Sequence, residues 1–337
     1  MKIGVAGASG YLGAELLRLL AGHPVLEVAV AQGDSSAGTA IAQLYPNLAP
    51  AYGDLAFSPL DAAGFDGVDA VFVALPSGRS QELVQALADH ARLVVDLGAD
   101  FRLRDASLYP DWYGFEHRAP ELLGRFVYGL PELFRRELGG AQLVAAPGCY
   151  VTAAAIALEP RVREQVIESS GVIVDAASGT SGAGRSPSAT MHHPAVNESF
   201  SAYGLLNHRH TPEMEQAIGA QILFTPHLAP MTRGILATCY GRATDGRAGS
   251  RALAVLRETY RDEPFVQVSE APPATRDTYA SNTVRVTARY DDRTGYVVSL
   301  AALDNIVKGG AGQAIQAANV ALGLEESAGL PSLGLVP

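Results

Sequence analysis

The chain has 337 residues, of which 48% are hydrophobic and 18% are charged. That length gives room for two domains with cores of their own, and the formal net charge of −10 argues against general nucleic-acid binding, which needs a basic surface. No apolar run reaches the roughly 18 residues of a membrane helix, and a strand begins at once, which leaves no space for a signal peptide. We therefore expect a cytoplasmic, soluble protein that binds neither nucleic acid nor membrane.

The N-terminal half alternates strands with helices. Strands are expected at the first residues and at 26–31, 68–76, 92–100 and 141–148, with helices after the first strand and at 79–91. The runs at 68–76 and 92–100 are continuously apolar, as in parallel strands covered on both faces. We predict an α/β fold with a Rossmann-type doubly wound parallel sheet.

The C-terminal half has a different pattern. Strands are expected at 171–179, 234–244, 282–292 and 295–305, and a final helix at 308–324. Only a short turn separates the last two strands, which favours an antiparallel hairpin. The second domain is therefore predicted to be α+β, with a mixed or antiparallel sheet.

A glycine-rich turn, "GASGYLG", follows the first strand and opens a helix. Gly7, Gly10 and Gly13 stand three residues apart, in the context where glycine permits a tight turn and close approach of the backbone to a pyrophosphate. Backbone N–H groups and the helix dipole would hold the phosphates. The turn predicts a dinucleotide site, and a turn made only for packing is the alternative.

The residues after the second strand leave the choice of dinucleotide open. Asp34 lies about 20 residues after the last glycine, where an acid usually binds the ribose 2′-hydroxyl of NAD. Ser35 and Ser36, however, offer donors to the 2′-phosphate of NADP. The residues alone favour neither cofactor.

Two cysteines have different settings, and they form neither a disulfide framework nor a metal pattern, so we expect no metal. Cys149 follows a Pro-Gly corner and begins a run of helix formers. A thiol at a helix N-terminus has a lowered pKa and becomes a reactive thiolate, although a buried core cysteine is the alternative. Cys239 stands in the middle of a strand and is predicted to be core packing.

Histidines are the candidate bases for a cysteine nucleophile. His208 and His210 are alternate residues in "NHRHTPEM", and Glu213 follows closely enough to orient an imidazole. The pair at 192–193 lies in a polar segment that reads as a surface loop. His227, between two prolines, is either structural or part of the site lining.

A second glycine-rich loop, "SGTSGAGR" at 178–185, also follows a strand. It is a candidate to bind a phosphate or the nicotinamide ribose, or it is a flexible turn. Four arginines stand in otherwise uncharged surroundings, where each could clamp an anion, although an ordinary surface arginine is the alternative for each. They are Arg102, Arg185, Arg209 and Arg233.

Taken together, the motifs resemble one family. "GASGYLGAELLRLL", "APGCYVTAAAIAL", "SGTSGAGR", "YGLLNHRHTPEM", "FTPHLAPMTRGI" and "DNIVKGGAGQAIQAANVALG" resemble the N-acetyl-γ-glutamyl-phosphate reductases of arginine biosynthesis, over essentially the whole chain. More distantly, the chain is similar to aspartate-semialdehyde dehydrogenase, which shares a two-domain plan.

The resemblance implies NADPH-dependent reduction of N-acetyl-γ-glutamyl phosphate to N-acetylglutamate 5-semialdehyde, with release of phosphate through a thioester on Cys149. It implies His210 as the acid/base and His208 as its neighbour at the substrate. It also implies an NADP-binding domain of residues 1–148 and 308–337, with the final helix packed back, and a catalytic and dimerisation domain of residues 149–307. A homodimer or homotetramer is expected.

The resemblance also gives candidate binding residues. Those for the cofactor are Gly7, Ser9, Gly10, Tyr11, Leu12, Gly13, Ser35, Pro76, Ser178, Gly179, Gly182 and Asn305. Those for the substrate are Arg102, Ser181, Arg233 and Glu213. Two departures from the family pattern stand out. Many members carry Arg or Lys after the second strand, where this chain has "QGDSSAG", which weakens the expectation of NADP over NAD. The residue after "GCY" is often Pro and here is Val151.

Three rival functions remain. The aminoadipyl-phosphate reductase of lysine biosynthesis, which acts on a carrier-protein-linked substrate, tends to have Asn where this chain has Tyr150. Aspartate-semialdehyde dehydrogenase does not fit the His-Arg-His-x-Pro-Glu motif. A non-catalytic redox sensor that binds NADP is the rival from a different class, and Cys149 together with two histidines in one motif argues against it.

Overall fold

The computed structural model describes residues 1–336, which form two compact units. The first unit comprises Met1–Pro147 and Gly310–Leu330, and the second comprises Gly148–Gly309 with residues 331–336. That last segment differs from the expectation that everything from 308 to 337 belongs with the first domain. It is held instead by the second unit, where the Asn282 N–H donates to the Pro331 carbonyl at 2.7 Å.

Within residues 1–336 the structure has thirteen strands and twelve α-helices. The strands are β1 (Lys2–Ala6), β2 (Glu27–Gln32), β3 (Ala70–Val73), β4 (Leu93–Asp96), β5 (Val127–Tyr128), β6 (Leu143–Ala145), β7 (Val172–Ser178), β8 (Ser201–Ala202), β9 (Ile222–Leu228), β10 (Ile235–Arg242), β11 (Val266–Val268), β12 (Val284–Asp291) and β13 (Tyr296–Leu303). The helices are α1 (Tyr11–Leu20), α2 (Ile41–Leu44), α3 (Ala49–Tyr52), α4 (Gln81–Leu87), α5 (Tyr109–Tyr113), α6 (Pro131–Leu138), α7 (Cys149–Arg163), α8 (His193–Val196), α9 (His210–Ile218), α10 (Gly246–Ser250), α11 (Ala252–Thr259) and α12 (Gly312–Leu322). No helix in this part of the chain is long and apolar enough to cross a membrane.

The first unit is built on a six-stranded sheet in the order β2-β1-β3-β4-β6-β5, with every neighbouring pair parallel. Every residue of β3 and β4 is buried, because a parallel sheet is covered on both faces. The predicted doubly wound α/β fold is confirmed. The strands are shorter than the apolar runs that predicted them, because the last residues of each run leave the sheet as loops at its carboxyl edge.

The helix α12 comes from the end of the chain but belongs to the first unit. It packs against α6 and β4, and its residues are almost all buried. Gln316 donates to the Glu132 carboxylate at 2.9 Å, and Gln313 donates to the Gly129 carbonyl at 3.0 Å. These polar contacts fix the position of α12 relative to α6 and to the residue that follows β5, which apolar burial alone would specify less strictly.

The second unit contains a seven-stranded mixed sheet in the order β11-β12-β13-β10-β7-β9-β8. The strands β12 and β13 form the predicted antiparallel hairpin, and β7 pairs with β9 in parallel. Burial alternates along β7 and β10, because α7 and its neighbouring helices cover one face and leave the other partly exposed. The predicted mixed α+β sheet is confirmed.

Candidate active site

Cys149 is the first residue of α7. Gly148 precedes it as the N-cap in an extended conformation, and no side chain within residues 1–336 caps the first turn. The backbone N–H groups of that turn have no intrahelical acceptor, and the positive end of the helix dipole favours a thiolate there. Cys149 is a free cysteine and is partly exposed.

Cys239 provides the contrast. It lies in β10 and is fully buried, and burial raises the pKa of its thiol to about 12. A neutral, inaccessible thiol is neither a nucleophile nor a ligand. Its predicted role as core packing is confirmed.

His210 lies directly against Gly148, the residue before Cys149. A Cβ added at Gly148 would clash with the His210 imidazole, coming within 2.8 Å of both Cδ2 and Cε1. Only glycine at position 148 lets the ring approach this closely. The structure therefore brings His210, at the start of α9, beside the corner that carries Cys149, as a nucleophile and its base require.

Glu213 also contacts Gly148, through its backbone N–H. It lies one turn after His210 on α9, is fully buried, and its Oε1 accepts the N–H of Gly148 at 2.8 Å. A carboxylate that accepts a backbone N–H forms a strong, charge-assisted hydrogen bond. This contact fixes the Gly148 backbone, and the two suggested roles of Glu213, orientation of an imidazole and binding of substrate, stay predictions.

His208 occupies an aromatic cage. The rings of Tyr150, Tyr203, His210 and Phe224 surround its imidazole edge-on, with centroids 4.8–5.8 Å away. Burial, with a smaller contribution from the Arg209 charge, lowers the pKa of His208 to about 4. Its Nδ1 accepts the N–H of His210 at 3.2 Å. We assign from this bond a neutral imidazole with its proton on Nε2.

Tyr150 forms the back of this cage. Its hydroxyl donates to the His227 carbonyl at 2.9 Å and accepts from the Tyr203 hydroxyl at 3.2 Å. Burial raises the pKa of Tyr150 far above its ordinary value, so the phenol stays neutral. The residue after the cysteine is thus a packing and hydrogen-bonding partner of the histidine motif.

The second glycine-rich loop, at 178–184, is docked by its backbone onto the segment at 231–234. The N–H groups of Gly179, Thr180 and Ser181 donate to the carbonyls of Gly234, Met231 and Thr232, respectively, at 2.9–3.1 Å. A phosphate cradle made from these amides would have to break those bonds. The loop therefore presents side chains, and its backbone donors are engaged internally.

Asn305 contacts several of the predicted site residues in and around that loop. Its Nδ2 donates to Ser181 Oγ at 3.0 Å, and its Oδ1 accepts the N–H of Gly234 at 2.8 Å. A Cβ at Gly182 would lie 3.4 Å from Ser178 Oγ and 3.5 Å from Asn305 Nδ2. The structure therefore places Ser178, Ser181, Gly182 and Asn305 together, although they lie far apart in sequence.

Arg233 lies beside this group, in the segment onto which the loop docks. Its guanidinium is 3.6 Å from the buried carboxylate of Asp304, and its side chain is one-fifth exposed. A partly buried, fixed guanidinium can bind an anion. The other basic candidates are placed differently, since Arg185, Arg209 and the histidines at 192–193 are all exposed.

The first unit fits a dinucleotide at the glycine-rich turn. Gly7 has φ +76°, a conformation that favours glycine. A Cβ at Gly13 would clash with the Gly7 carbonyl and approach Ala8 Cα to 2.5 Å, whereas one at Gly10 would meet nothing closer than 3.5 Å. Gly7 and Gly13 are thus required by packing. Gly10 leaves room at the uncapped start of α1, where a pyrophosphate binds in this fold.

The end of β2 adjoins that turn. A Cβ at Gly33 would lie 2.9 Å from Ser9 Oγ, and the next residues, Asp34 and Ser35, are exposed. The sequence from 33 to 40, "GDSSAGTA", contains no basic residue. A ribose at this position would meet an acid and a hydroxyl. Pro76, in the loop after β3, is also exposed.

Arg102 is held in the first unit by backbone carbonyls. Its Nε donates to Ala146 at 2.8 Å and its Nη2 to Leu97 at 2.9 Å, and the residue is 9% exposed. Two of its five donors are thereby fixed, which orients the guanidinium. A role in binding substrate stays a prediction.

Three hydrogen-bonded polar residues, one of which interacts with the Arg102 charge, were not predicted from the sequence as site residues. Asp96 and Asp100 are fully buried, and the Ser80 hydroxyl lies 3.2 Å and 2.9 Å from their carboxylates. Burial and the neighbouring Asp100 raise the pKa of Asp96 to about 7. A signal exists in "VVDLGAD", because acids at the carboxyl end of a parallel strand lie where ligands bind. The continuous apolar run obscured it.

Comparison with known proteins defines the class. Residues 2–141 match the family described as semialdehyde dehydrogenase, NAD binding domain, and residues 149–305 match the semialdehyde dehydrogenase dimerisation domain. The fold is similar to that of aspartate semialdehyde dehydrogenase II from Vibrio cholerae (TM-score 0.71, 15% identity, covering 95% of this chain and 98% of the other). It is also similar to aspartate semialdehyde dehydrogenase with NADP from Candida albicans (TM-score 0.69, 15% identity, covering 95% and 98%). The protein is a two-domain oxidoreductase of semialdehyde dehydrogenase type.

Full-length relatives define the family more narrowly. The chain is 45% identical over its whole length to the N-acetyl-gamma-glutamyl-phosphate reductase of Symbiobacterium thermophilum, of which 99% is covered. It is 46% identical to the protein of that name from Acidothermus cellulolyticus and 44% identical to that from Magnetococcus marinus, with the same coverage. The chain belongs to the N-acetyl-γ-glutamyl-phosphate reductase family.

Proposed function

We propose that the protein reduces N-acetyl-γ-glutamyl phosphate to N-acetylglutamate 5-semialdehyde, with release of phosphate, as a cytoplasmic enzyme of arginine biosynthesis. One observation carries the proposal. Cys149 begins α7, with the His210 imidazole packed on Gly148 beside it. This nucleophile and base stand in a chain that matches reductases of that name from end to end.

The first stage is acyl transfer to the enzyme. The Cys149 thiolate attacks the acyl carbon, the C–O bond to phosphate breaks, and a thioester and inorganic phosphate result. Negative charge develops on the carbonyl oxygen as the thiolate adds. The uncapped N–H groups at the start of α7 are the donors suited to stabilise it.

The second stage is reduction. A bound nicotinamide supplies a hydride. Cys149 holds the carbon that is reduced, His210 gives a proton to the oxygen and removes it again as the tetrahedral species collapses, and the C–S bond breaks to release aldehyde and thiolate. General acid–base assistance of this kind typically contributes about 10²–10⁴-fold.

Of the two histidines, we assign the acid/base role to His210. His208 has a pKa of about 4, so it carries no second proton to give at neutral pH. Its Nδ1 is engaged by the N–H of His210, which fixes the first turn of α9. His208 is therefore a positioning residue that sets where the His210 backbone lies.

We further propose that the first unit binds NADP. The turn at Gly7–Gly13 would hold the pyrophosphate, and Ser35 would donate to a 2′-phosphate. Support comes from the match to an NAD-binding domain and from a fold neighbour whose structure contains NADP. Asp34 argues for NAD, so paired kcat/KM values for NADPH and NADH decide the preference. A preference for NADH would overturn this part.

Substrate contacts and assembly complete the proposal. Arg102, Arg233 and Ser181 would bind the phosphate and carboxylate of the substrate. The second unit would join a second copy into a homodimer or homotetramer through the partly exposed face of its sheet, where Leu223 is 49% exposed. The match to a dimerisation domain supports this assignment.

The deciding experiment is a steady-state assay in the reverse direction. The enzyme receives N-acetylglutamate semialdehyde, phosphate and NADP⁺ or NAD⁺, with aminoadipate and aspartate semialdehydes as alternative substrates. We expect phosphate-dependent formation of reduced nucleotide with the first aldehyde and at least about tenfold lower kcat/KM with the others. No turnover with the first aldehyde would overturn the proposal. Turnover with none of them would favour a redox sensor.

A further inference from the structure

Two buried carboxylates share one hydroxyl in the first unit. Asp96 ends β4 and Asp100 lies four residues later, and neither is exposed. Ser80 Oγ, at the start of α4, is 3.2 Å from Asp96 Oδ2 and 2.9 Å from Asp100 Oδ2. A Cβ at Gly98 would lie 2.9 Å from Asp96 Oδ1, so glycine there permits the arrangement.

The number of protons shared by Asp96, Ser80 and Asp100 decides whether each of them has a hydrogen-bond partner. Asp100 accepts the N–H of Gly78 at 2.7 Å on one oxygen and that of Ser80 at 3.1 Å on the other, so both of its side-chain oxygens act as acceptors. The Ser80 hydroxyl has one proton, which it can give to only one acid. If Asp96 carries a proton on Oδ2, it can donate to Ser80 Oγ, and the Ser80 hydroxyl can donate to Asp100 Oδ2. Each of the three groups then has a hydrogen-bond partner. Without that proton, a carboxylate faces a hydroxyl lone pair.

The surrounding groups leave Arg102 as the cation that faces Asp96. Tyr109 and His117 donate to the Asp100 carbonyl at 2.6 and 2.7 Å. Burial raises the pKa of Tyr109 and lowers that of His117, so both are neutral. The helix α12, packed against β4, has no ionisable side chain, and Glu82 of α4 is exposed. The positive charge of Arg102 favours ionisation of Asp96, but burial favours the protonated acid more strongly.

We propose that Asp96, through the Asp96–Ser80–Asp100 chain, is a positioning residue that sets how strongly Arg102 attracts an anion. When Asp96 carries the shared proton, the positive field of Arg102 acts on the ligand. When Asp96 is ionised, its negative charge lies beside Arg102 and cancels part of that field. For the reductase this rests on the proposed function, because the acyl phosphate and its carboxylate are the anions concerned.

The direction with pH follows. Asp96 loses its proton as pH rises through about 7. The KM for the acyl phosphate should therefore rise several-fold between pH of about 6 and about 9, more than kcat changes. The variant Asp96→Asn is neutral at every pH, and its amide can still donate to Ser80 Oγ. Its KM should lose that rise.

A binding measurement separates this inference from the identity of the substrate. Sulfate is the probe, because its charge is constant over this pH range, and calorimetry measures its affinity for the full-length protein. The wild type should bind sulfate several-fold more weakly at the alkaline end, Asp96→Asn should not, and Arg102→Met should bind weakly throughout. Equal pH dependence in wild type and Asp96→Asn would overturn the inference. A clear difference without reductase turnover would instead overturn only the proposed function.

The wild type alone offers a spectroscopic test that does not depend on a folded variant. A buried protonated carboxyl has an infrared C=O stretch that disappears on ionisation. We expect such a band to be present at acidic pH and to be lost around pH 7. Its absence throughout, or its persistence to pH of about 9, would overturn the shared-proton chain.

Discussion

The two glycine-rich loops have similar sequences but differ in whether their backbone N–H groups are available to a ligand. Each follows a strand with closely spaced glycines. In the first unit the loop runs into α1, whose first turn is uncapped, so backbone N–H groups are presented. In the second unit the loop folds onto the segment at 231–234, and the amides of Gly179, Thr180 and Ser181 are engaged. The second loop therefore works through side chains.

The difference extends to the whole of each unit. The cofactor turn depends on the absence of side chains at Gly7 and Gly13, where a Cβ would clash. The proposed cysteine site would instead depend on particular side chains, namely Cys149, His210 and Glu213. Closely spaced glycines thus indicate that another group packs closely against the backbone. The element that follows the loop decides whether that group is a ligand or another segment of the chain.

The strongest test of this contrast is Cys149→Ser. Because a serine hydroxyl is a far weaker nucleophile than a thiolate, we expect kcat to fall by at least about 10³-fold. NADPH binding, measured by fluorescence titration, should remain unchanged. Cys239→Ala serves as the control and should keep kcat, since that thiol is buried in the core. A variant at 149 that retains activity would rule out the thioester.

Alanine substitutions separate the two uses of glycine in the first turn. Gly13→Ala should lower the unfolding temperature and weaken NADPH binding about tenfold or more, because its Cβ would lie 2.5 Å from Ala8 Cα. Gly10→Ala has room in the protein and should leave the unfolding temperature unchanged. It should still weaken NADPH binding, because its methyl group enters the space proposed for the pyrophosphate. Normal affinity in Gly10→Ala would contradict the cradle.

In the second unit the Arg161 side chain is expected to lower the free energy of unfolding. Arg161, in the last turn of α7, is fully buried, and none of its three guanidinium nitrogens has a hydrogen-bond partner among residues 1–336. Burial lowers its pKa to about 10, so it is still charged at neutral pH. Arg161→Met should stabilise the protein by about 1–3 kcal/mol, since an apolar chain removes an uncompensated charge.

Arg163, on the same helix, provides the matched control. Its guanidinium is 3.0 Å from Glu159 and its side chain is half exposed, so Arg163→Met should lower the free energy of unfolding by no more than about 0.5 kcal/mol. Urea titration of both variants makes the measurement. Destabilisation by Arg161→Met would mean that the guanidinium has a partner, such as a buried anion or water.

The smallest effect is the pH dependence from His208. Its folded pKa of about 4 lies below the ordinary 6.5, so between these values the unfolded chain binds a proton that the folded chain does not. A pKa difference of this size corresponds to about 3 kcal/mol for a fully buried group. Because His208 is partly exposed, stability should fall by about 1–2 kcal/mol as pH falls through that window, and the full loss is reached below it. Imidazole NMR titration gives the pKa directly. His193→Gln, at an exposed residue, should leave the slope of stability against pH unchanged, whereas His208→Gln should flatten it.

The sequence predicts elements better than it predicts their partners. Continuous apolar runs indicate the parallel strands, and the Pro-Gly corner before helix formers places Cys149 at the start of a helix. The packing of His210 on Gly148 depends on how α9 meets α7, which no local pattern encodes. The docking of the 178–184 loop depends on carbonyls some 50 residues away. The apolar run at 92–100 predicts Asp96 only as a strand residue, and its link to Asp100 through Ser80 is a tertiary contact.

The position of α12 has a consequence for the order of synthesis. The second unit is almost continuous along the chain, whereas the first requires a helix that begins at Gly312. At translation rates of about 5–20 residues per second, the first 147 residues wait on the order of ten seconds or more for that helix. During that interval the surface that α12 covers is exposed to water. The unit whose synthesis begins first is therefore completed only when nearly the whole chain has been made.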